Sequence, residues 1–380
     1  MTLVGEHEAN KENLQPAIGE VLLLKQEQVF DSEGRPFFRR TVRVGDESDA
    51  NIERRLESEE IGEQLNQWLI DHPIPEGEDV EDTLRTVVGI NPETKEKFVY
   101  VPDENKAGRW LYYDENNQPT QMLDWAKDFP TAIALFAIQR PSKEGGRRLP
   151  QGELDERTIE LFTYMVDAIG IRSRARIYAQ RLVELAQSTD GPLNIISVGS
   201  GAAVPNIDAS LRIEKELGQY VKWKFFDIDP NALEFAHELV QEVDLEKTSF
   251  DYGPVSYDVD ENKWKFKGRS FSRAYKEESE SADVVDALGL WEYLKKDTAV
   301  KFAKELYDKV KPGGMMIVSN MLKGRPQEEF NIRGVGWPNL ELRSEEDLLE
   351  IMEEAGINTM NVTMTHSEDG VYVVMEIQKP

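Results

Sequence analysis

"LNIISVGSGAAVPNID" (193–208) reads as a buried strand, a loop of small residues and the start of a helix. Ile195, Ile196 and Val198 supply the apolar run. Gly199, Ser200, Gly201, Ala202 and Ala203 follow with no bulky side chain among them. Two different pressures produce such a run. A tight turn from strand to helix needs small residues. So does a large polar ligand that lies close against the backbone. Pro205 suits a first helical turn, whose amides attract polar or anionic groups. Taken alone, the Gly-x-Gly-x-Ala pattern leaves both explanations open.

The next strand narrows the choice. "VKWKFFDIDPNALEFA" (221–236) runs into Asp227, 26 positions after Gly201. In nucleotide-binding α/β folds an acid about 20 residues beyond the glycine loop reaches the ribose hydroxyls. A carboxylate can accept from both hydroxyls at once; it can also serve as a helix cap. Asp229-Pro230 reads as an N-cap and first helical residue, with Ala232, Ala236, Leu239 and Val243 on one face behind it.

From here the pattern alternates. Strands are expected at 193–198, 221–227, 282–288 and 314–319, and helices at 205–217, 230–243, 297–310 and 344–355. Two further strands, 358–365 and 371–378, close the chain around Ser-Glu-Asp-Gly. Such alternation predicts an α/β fold with a parallel sheet and helices on both faces, ending in an antiparallel hairpin. One or two helices precede it at 153–187. The stretch "RPSKEGGRRLPQGE" (140–153) reads as a linker. The expected domains are therefore 1–150, a smaller α+β N-terminal domain, and 151–380. The first shows strands at 20–44, a helix over 51–70, a hairpin over 97–119 and a helix over 122–139. It carries no chemical motif, and acceptor selection or dimerisation are its candidate roles. Trp110, Tyr112 and Tyr113 are candidates for core packing or a pocket wall.

Composition excludes several classes. Of 380 residues, 72 are acidic and 45 basic, a formal charge of −27. That field repels a phosphate backbone, so nucleic acid is a poor partner. There is no cysteine, so disulfides, thiolate metal sites and cysteine nucleophiles are excluded. No clustered His/Asp/Glu set suggests a metal. No apolar run approaches the ~20 residues that span a bilayer. "MTLVGEHEANKENLQ" has neither a basic nor an apolar leader region, and the chain reads as cytoplasmic.

The set "ISVGSGAA", "FFDIDPNAL", "ADVVDALGLWEYL" and "LYDKVKPGGMMIVSN" resembles the class I S-adenosylmethionine-dependent methyltransferases over about residues 155–380. The resemblance implies a Rossmann-like seven-stranded sheet with a C-terminal antiparallel hairpin, and S-adenosyl-L-methionine as cofactor. It places Gly199 and Gly201 under the methionine part, with Ser200 between them among the cofactor-binding residues, Asp227 on the ribose, and Ile228 on the adenine face. It places Leu288 and Gly289 near the sulfonium. Two positions depart from the family pattern. Ser197 stands where an acid usually anchors the ammonium, and Ala203 where a third glycine is frequent. Arg172 and Arg174 are candidates for the cofactor carboxylate or for a charged helix surface. For the adenine, residues 249–281 offer Asp251 and Tyr252 if 247–252 is a strand, or Ser270 and Phe271 if the segment is a hairpin around Asp260.

"GIRSRARIYAQRL", "DALGLWEYLKKDTAVKFAKELYDKVKPGG" and "GWPNLELRSEEDLLEIMEEAGI" resemble more narrowly a bacterial branch associated with 3-hydroxy fatty acid methyl esters. "VGSGAAVP" and "DIDPNA" are also similar to nicotianamine synthase, which moves the aminocarboxypropyl arm of the same cofactor. The expected function is methyl transfer, favouring oxygen, to a small molecule, a lipid-like acid or a peptide. Trp291 and Tyr293 are candidates for the acceptor pocket, and Tyr293 and Glu292 for a base where the acceptor needs one. A methyltransferase-fold binding or scaffold protein is the non-catalytic alternative.

Overall fold

The computed structural model describes residues 14–71, 73, 88–90, 97–99, 132–142, 154–253, 255–258, 263–266, 281–335, 337 and 340–380. In chain order the strands and longer helices are β1 (Val21–Phe30), β2 (Pro36–Val44), α1 (Ile52–Asp71), β3 (Val88–Ile90) and β4 (Lys97–Val99). There follow α2 (Ala132–Gln139), α3 (Glu156–Tyr164), α4 (Val166–Gln187), β5 (Leu193–Val198), α5 (Val204–Leu217), β6 (Val221–Phe226) and α6 (Pro230–Glu242). The chain continues through β7 (Ser249–Asp251), β8 (Val255–Asp258), β9 (Lys263–Phe266), β10 (Ala282–Ala287) and α7 (Lys296–Lys309). It ends with β11 (Val310–Met321), α8 (Glu345–Glu354), β12 (Val362–Ser367) and β13 (Tyr372–Gln378).

Nine strands form one sheet in the order β1-β2-β12-β13-β11-β10-β5-β6-β7. The five from β11 to β7 are parallel to one another, and β13 is antiparallel to both β11 and β12. This corrects the expected count of seven. The extra pair is the β1–β2 hairpin, which joins the sheet through parallel pairing of β2 with β12. The chain winds outward from β5 to β6 and β7, then returns to β10 on the other side of β5. Strand order therefore reverses between β5 and β10, the place where α/β sheets open a crevice at their carboxyl ends.

The parallel strands are buried on both faces, as near-continuous apolar runs require. On one face Ile196, Val285, Met316 and Val318 pack against Ala299, Ala303 and Leu306 of α7 and Leu348 and Met352 of α8. On the other, Ile195, Trp223, Phe225 and Ile317 pack against Tyr178 and Leu182 of α4, Ile213 of α5 and Leu233 of α6. Ser344 opens α8 with a capping box, its hydroxyl accepting from Asp347 N–H while the Asp347 carboxylate returns the bond.

The division at 150 that the sequence suggests is not the division observed. Residues 1–45, 173–323 and 341–380 make one compact unit, which holds the nine-stranded sheet, and 46–172 with 324–340 make another. In the second unit Arg172 is buried, and its five N–H groups are all used. Its Nε and Nη2 each donate to Asp46 at 2.8 Å. The remaining bonds go to the carbonyls of Ile138, Phe162 and Thr163 at 3.1, 2.6 and 2.6 Å. Arg325 makes a second buried pair there, bidentate to Asp167 at 3.0 Å.

The two alternatives for 249–281 both occur in part. A short strand, β7, pairs with β6, and a separate β8–β9 hairpin follows. The hairpin expected over 97–119 falls mostly outside the described residues; its first strand, β4, pairs instead with β3. Trp110, Tyr112 and Tyr113 also lie outside the described residues.

Candidate functional site

At the tips of β5 and β6 the small-residue loop is folded down onto the end of the neighbouring strand. Gly199 and Ser200 donate their N–H groups to the Phe226 carbonyl at 2.8 and 3.3 Å. Gly201 donates its own to Asp227 Oδ2 at 2.8 Å, and Asp229 N–H donates to Asp227 Oδ1 at 2.9 Å. The loop needs left-handed backbone at Gly199 (φ +66°) and Gly201 (φ +52°), which glycine adopts without a Cβ clash. Ala203 is also left-handed, at φ +53°. It begins α5 without a side-chain cap.

Asp227 is half-buried. Burial raises its carboxyl above the usual range, and the amides of Asp229 and Gly201 oppose that shift. The Ile228 amide adds a third, weaker backbone hydrogen bond, and a carboxylate with about four lone-pair sites still has capacity for a ligand donor. Ile228, 73% exposed, stands beside it. The Ser200 hydroxyl is buried with no hydrogen-bond partner. Gly199, Ser200, Gly201, Asp227 and Ile228 are thus gathered in one place.

Leu288 and Gly289 follow β10 on the other side of the switch point. The Leu288 side chain is core, and its carbonyl accepts from the Ser319 hydroxyl. A Cβ on Gly199 would lie 3.3 Å from Leu290 Cβ, so the Leu290 side chain covers one side of the glycine loop. Gly289 leaves room for Arg174, whose guanidinium would lie 3.5 Å from a Cβ at that position. Arg174 is buried and stacks 4.5 Å from the Tyr372 ring centre. Its Nη1 stands 3.5 Å from Glu292 Oε1, which also accepts from the Tyr372 hydroxyl at 3.2 Å.

Glu292 is buried, and its Oε2 has no partner. Burial raises its carboxyl, against the attraction of Arg174. The short turn Trp291–Tyr293 that carries it is braced by Arg343, which donates to the carbonyls of Trp291 (2.8 Å) and Leu294 and to Asn320 Oδ1 (2.7 Å). Trp291 is fully buried in the core on the α7 and α8 face, so it is core and not the wall of an open pocket. Tyr293 is half-buried on the same turn.

Other candidates are placed elsewhere. Arg172 is spent on Asp46 and three carbonyls and offers nothing to a cofactor. Tyr252 packs edge-on against the His237 ring at 5.1 Å and near Phe225 at 5.8 Å. Asp251 is exposed on β7. Ser270 and Phe271 lie outside the described residues.

One cluster escaped sequence reasoning. Asp286 of β10 is paired in register with Ser197 of β5. Its Oδ1 accepts from the Ser197 hydroxyl at 2.7 Å and its Oδ2 from the Tyr178 hydroxyl at 2.6 Å. Asn206 Nδ2 donates to both hydroxyl oxygens at 3.3 Å. Burial raises the Asp286 carboxyl to about 7, although the two hydroxyls pull it down. An ionisable residue inside the apolar run "ADVVDALG" was the available signal.

Among the described residues no group of three or more His, Asp or Glu could hold a metal ion, and no helix is long and apolar enough to cross a membrane.

No protein-family model and no curated protein matches the chain. Among solved structures it is similar to a protein from Bordetella parapertussis described as a possible exported protein. That match has 14% identity and a TM-score of 0.51, over 86% of this chain and 97% of that one. It is also similar to the carbon methyltransferase CurJ, at 14% identity and TM-score 0.42, over 87% of this chain and 93% of that one. Magnesium protoporphyrin IX methyltransferase (ChlM) from Synechocystis PCC 6803, with bound SAH, matches at 16% identity and TM-score 0.37, over 55% of this chain and 87% of that one. At such identity the first likeness is one of fold. At the lower scores of the other two, nothing about this chain follows from them.

Proposed function

We propose that the chain is an S-adenosylmethionine-dependent methyltransferase of class I. Its acceptor is a small molecule, a lipid-like acid or a peptide, with transfer to oxygen favoured. The observation that carries this is the bond between Gly201 N–H and Asp227 Oδ2, because it sets a bare glycine backbone and a carboxylate side by side at the ends of adjacent parallel strands. The residues fit the cofactor. Gly199 and Gly201 provide a surface without side chains, and the buried Ser200 hydroxyl lacks a partner that a ligand would supply.

Gly199, Ser200 and Gly201 would hold the methionine part, Asp227 the ribose hydroxyls and Ile228 one face of the adenine. Leu288 and Gly289 would border the sulfonium. The cofactor supplies an already activated methyl group, so the protein's work is orientation and exclusion of water. A carboxylate acceptor needs no base. For a hydroxyl acceptor, Glu292 has a raised carboxyl and one oxygen free to take a proton.

A second reading is a non-catalytic protein on the same fold. The Leu290 side chain lying over Gly199 favours it, since it occupies space on the loop. Calorimetry with adenosylmethionine separates the two: absence of binding removes the enzyme reading. With binding established, product analysis identifies the chemistry. S-adenosylhomocysteine marks methyl transfer, and methylthioadenosine marks nicotianamine-synthase-like transfer of the aminocarboxypropyl arm.

A further inference from the structure

Asp286 is 1% exposed, one residue short of the end of β10, at the point where strand order reverses. Each element packed around it presents one group. Tyr178 comes from α4, Ser197 from β5 and Asn206 from the first turn of α5, while its register partner on β11 is Ile317. Of these only Tyr178 titrates, and burial followed by the nearby Asp286 charge holds its hydroxyl well above the ordinary range, so it stays neutral.

The hydrogen-bond directions are consistent throughout. The Asn206 amide donates to two hydroxyls, and each hydroxyl spends its single proton on Asp286. Both hydroxyls point at the carboxyl group, an arrangement that suits its ionised form. Yet among the described residues no Lys, Arg or His is a hydrogen-bond, ion-pair or electrostatic partner of it. A buried anion without a counter-ion is costly, and such groups are normally paired. Ser197 leads within two residues to Gly199, so the carboxyl group it donates to lies at the root of the glycine loop.

We infer that Asp286 is the counter-charge for a cationic ligand group bound in the crevice over the glycine loop. It thereby does from β10 what an acid at 197 would do from β5. This rests on the cofactor reading above. It makes Asp286 a positioning residue, acting through Ser197, Tyr178 and the field of its charge. A cation arriving beside it favours the ionised form, so binding near neutral pH expels a proton into solution.

The test uses the full chain and three probes. Adenosylmethionine carries a sulfonium and an ammonium, S-adenosylhomocysteine an ammonium only, and methylthioadenosine neither. Binding is measured by calorimetry at pH 7 in two buffers of different ionisation enthalpy. The wild type should prefer adenosylmethionine to methylthioadenosine and release protons only with the charged ligand. In Asp286→Asn that preference should fall about tenfold or more, as expected for losing a charge at short range, and proton release should vanish. Tyr178→Phe, which keeps the carboxyl group but removes one donor, should move the release to higher pH. If S-adenosylhomocysteine follows adenosylmethionine, the ammonium is the partner; if it follows methylthioadenosine, the sulfonium is. Either result supports the inference. An unchanged preference with no proton release overturns it while leaving the cofactor reading intact. Failure of all three probes to bind the wild type overturns both.

Discussion

Gly201 and Asp227 lie on different strand-end loops, and one 2.8 Å hydrogen bond makes them a single surface. The Asp227 carboxylate fastens the loop and still has lone pairs for a ligand. Asp227→Ala removes both roles. Affinity for adenosylmethionine should fall about tenfold to a hundredfold, the loss of one or two charge-assisted hydrogen bonds. Calorimetry measures it directly. Affinity within twofold of wild type would remove Asp227 from the site.

Gly199 and Leu290 should behave as a coupled pair. Gly199→Ala forces a side chain into left-handed backbone, at about 1–2 kcal/mol, and brings its methyl to 3.3 Å from Leu290 Cβ. Truncating Leu290 to Ala leaves that Cβ in place but removes the Cδ2 and Cγ atoms that would lie 3.4 and 3.7 Å from the new methyl. In urea titrations the double variant should be less destabilised than the two single costs added together. Strict additivity would mean that the contact carries no strain.

Arg172 is expected to matter for stability and not for the cofactor. Arg172→Lys keeps the charge but cannot satisfy Asp46 and three carbonyls together. Breaking a buried pair of this kind costs about 3–5 kcal/mol. The variant should unfold at clearly lower temperature while its folded fraction binds adenosylmethionine normally.

The pH dependence of unfolding should have two limbs of opposite sign. The folded-state pKa of Asp286, about 7, lies above its ordinary 3.8. Between those values the folded chain holds a proton that the unfolded chain has lost, so stability falls as pH rises through the window. The full cost is on the order of 4 kcal/mol. Burial alone would raise Glu345 too, but hydrogen bonds from His366 and Arg39 outweigh it and carry the carboxyl down to about 2. Its contribution is present above pH 4.5 and lost as pH falls towards 2. Melting curves across pH should show the neutral limb flattened in Asp286→Asn and the acid limb flattened in Glu345→Gln.

Local patterns made much of this legible. The strand at 193–198 and the starts of α5 and α6 follow from apolar runs, Pro205 and the Asp229-Pro230 cap. The place of Asp227 beside the glycine loop follows from one strand end and one spacing. What stayed hidden depends on partners far away in sequence. The hairpin over 20–44 was readable, but alternation says which face is buried and not which strand lies alongside, so its pairing with β12 was invisible. Arg172 and Arg174 sit on a helix whose periodicity cannot tell a surface arginine from one enclosed by carbonyls or stacked on Tyr372. Asp286 stands as an ionisable residue in an apolar strand, but its setting depends on Tyr178 and Ser197, which donate to it, and on Asn206 behind them, all from other elements.

The parallel pairing of β2 with β12 joins residues 38–42 to residues 363–367. During synthesis the amino-terminal hairpin must therefore wait for nearly the whole chain before it can dock, a long-range closure of the kind that slows folding. A truncated 151–380 fragment would leave one side of β12 as a bare strand edge, open to pairing with other molecules. Such a fragment is expected to aggregate even though it contains every residue of the glycine loop.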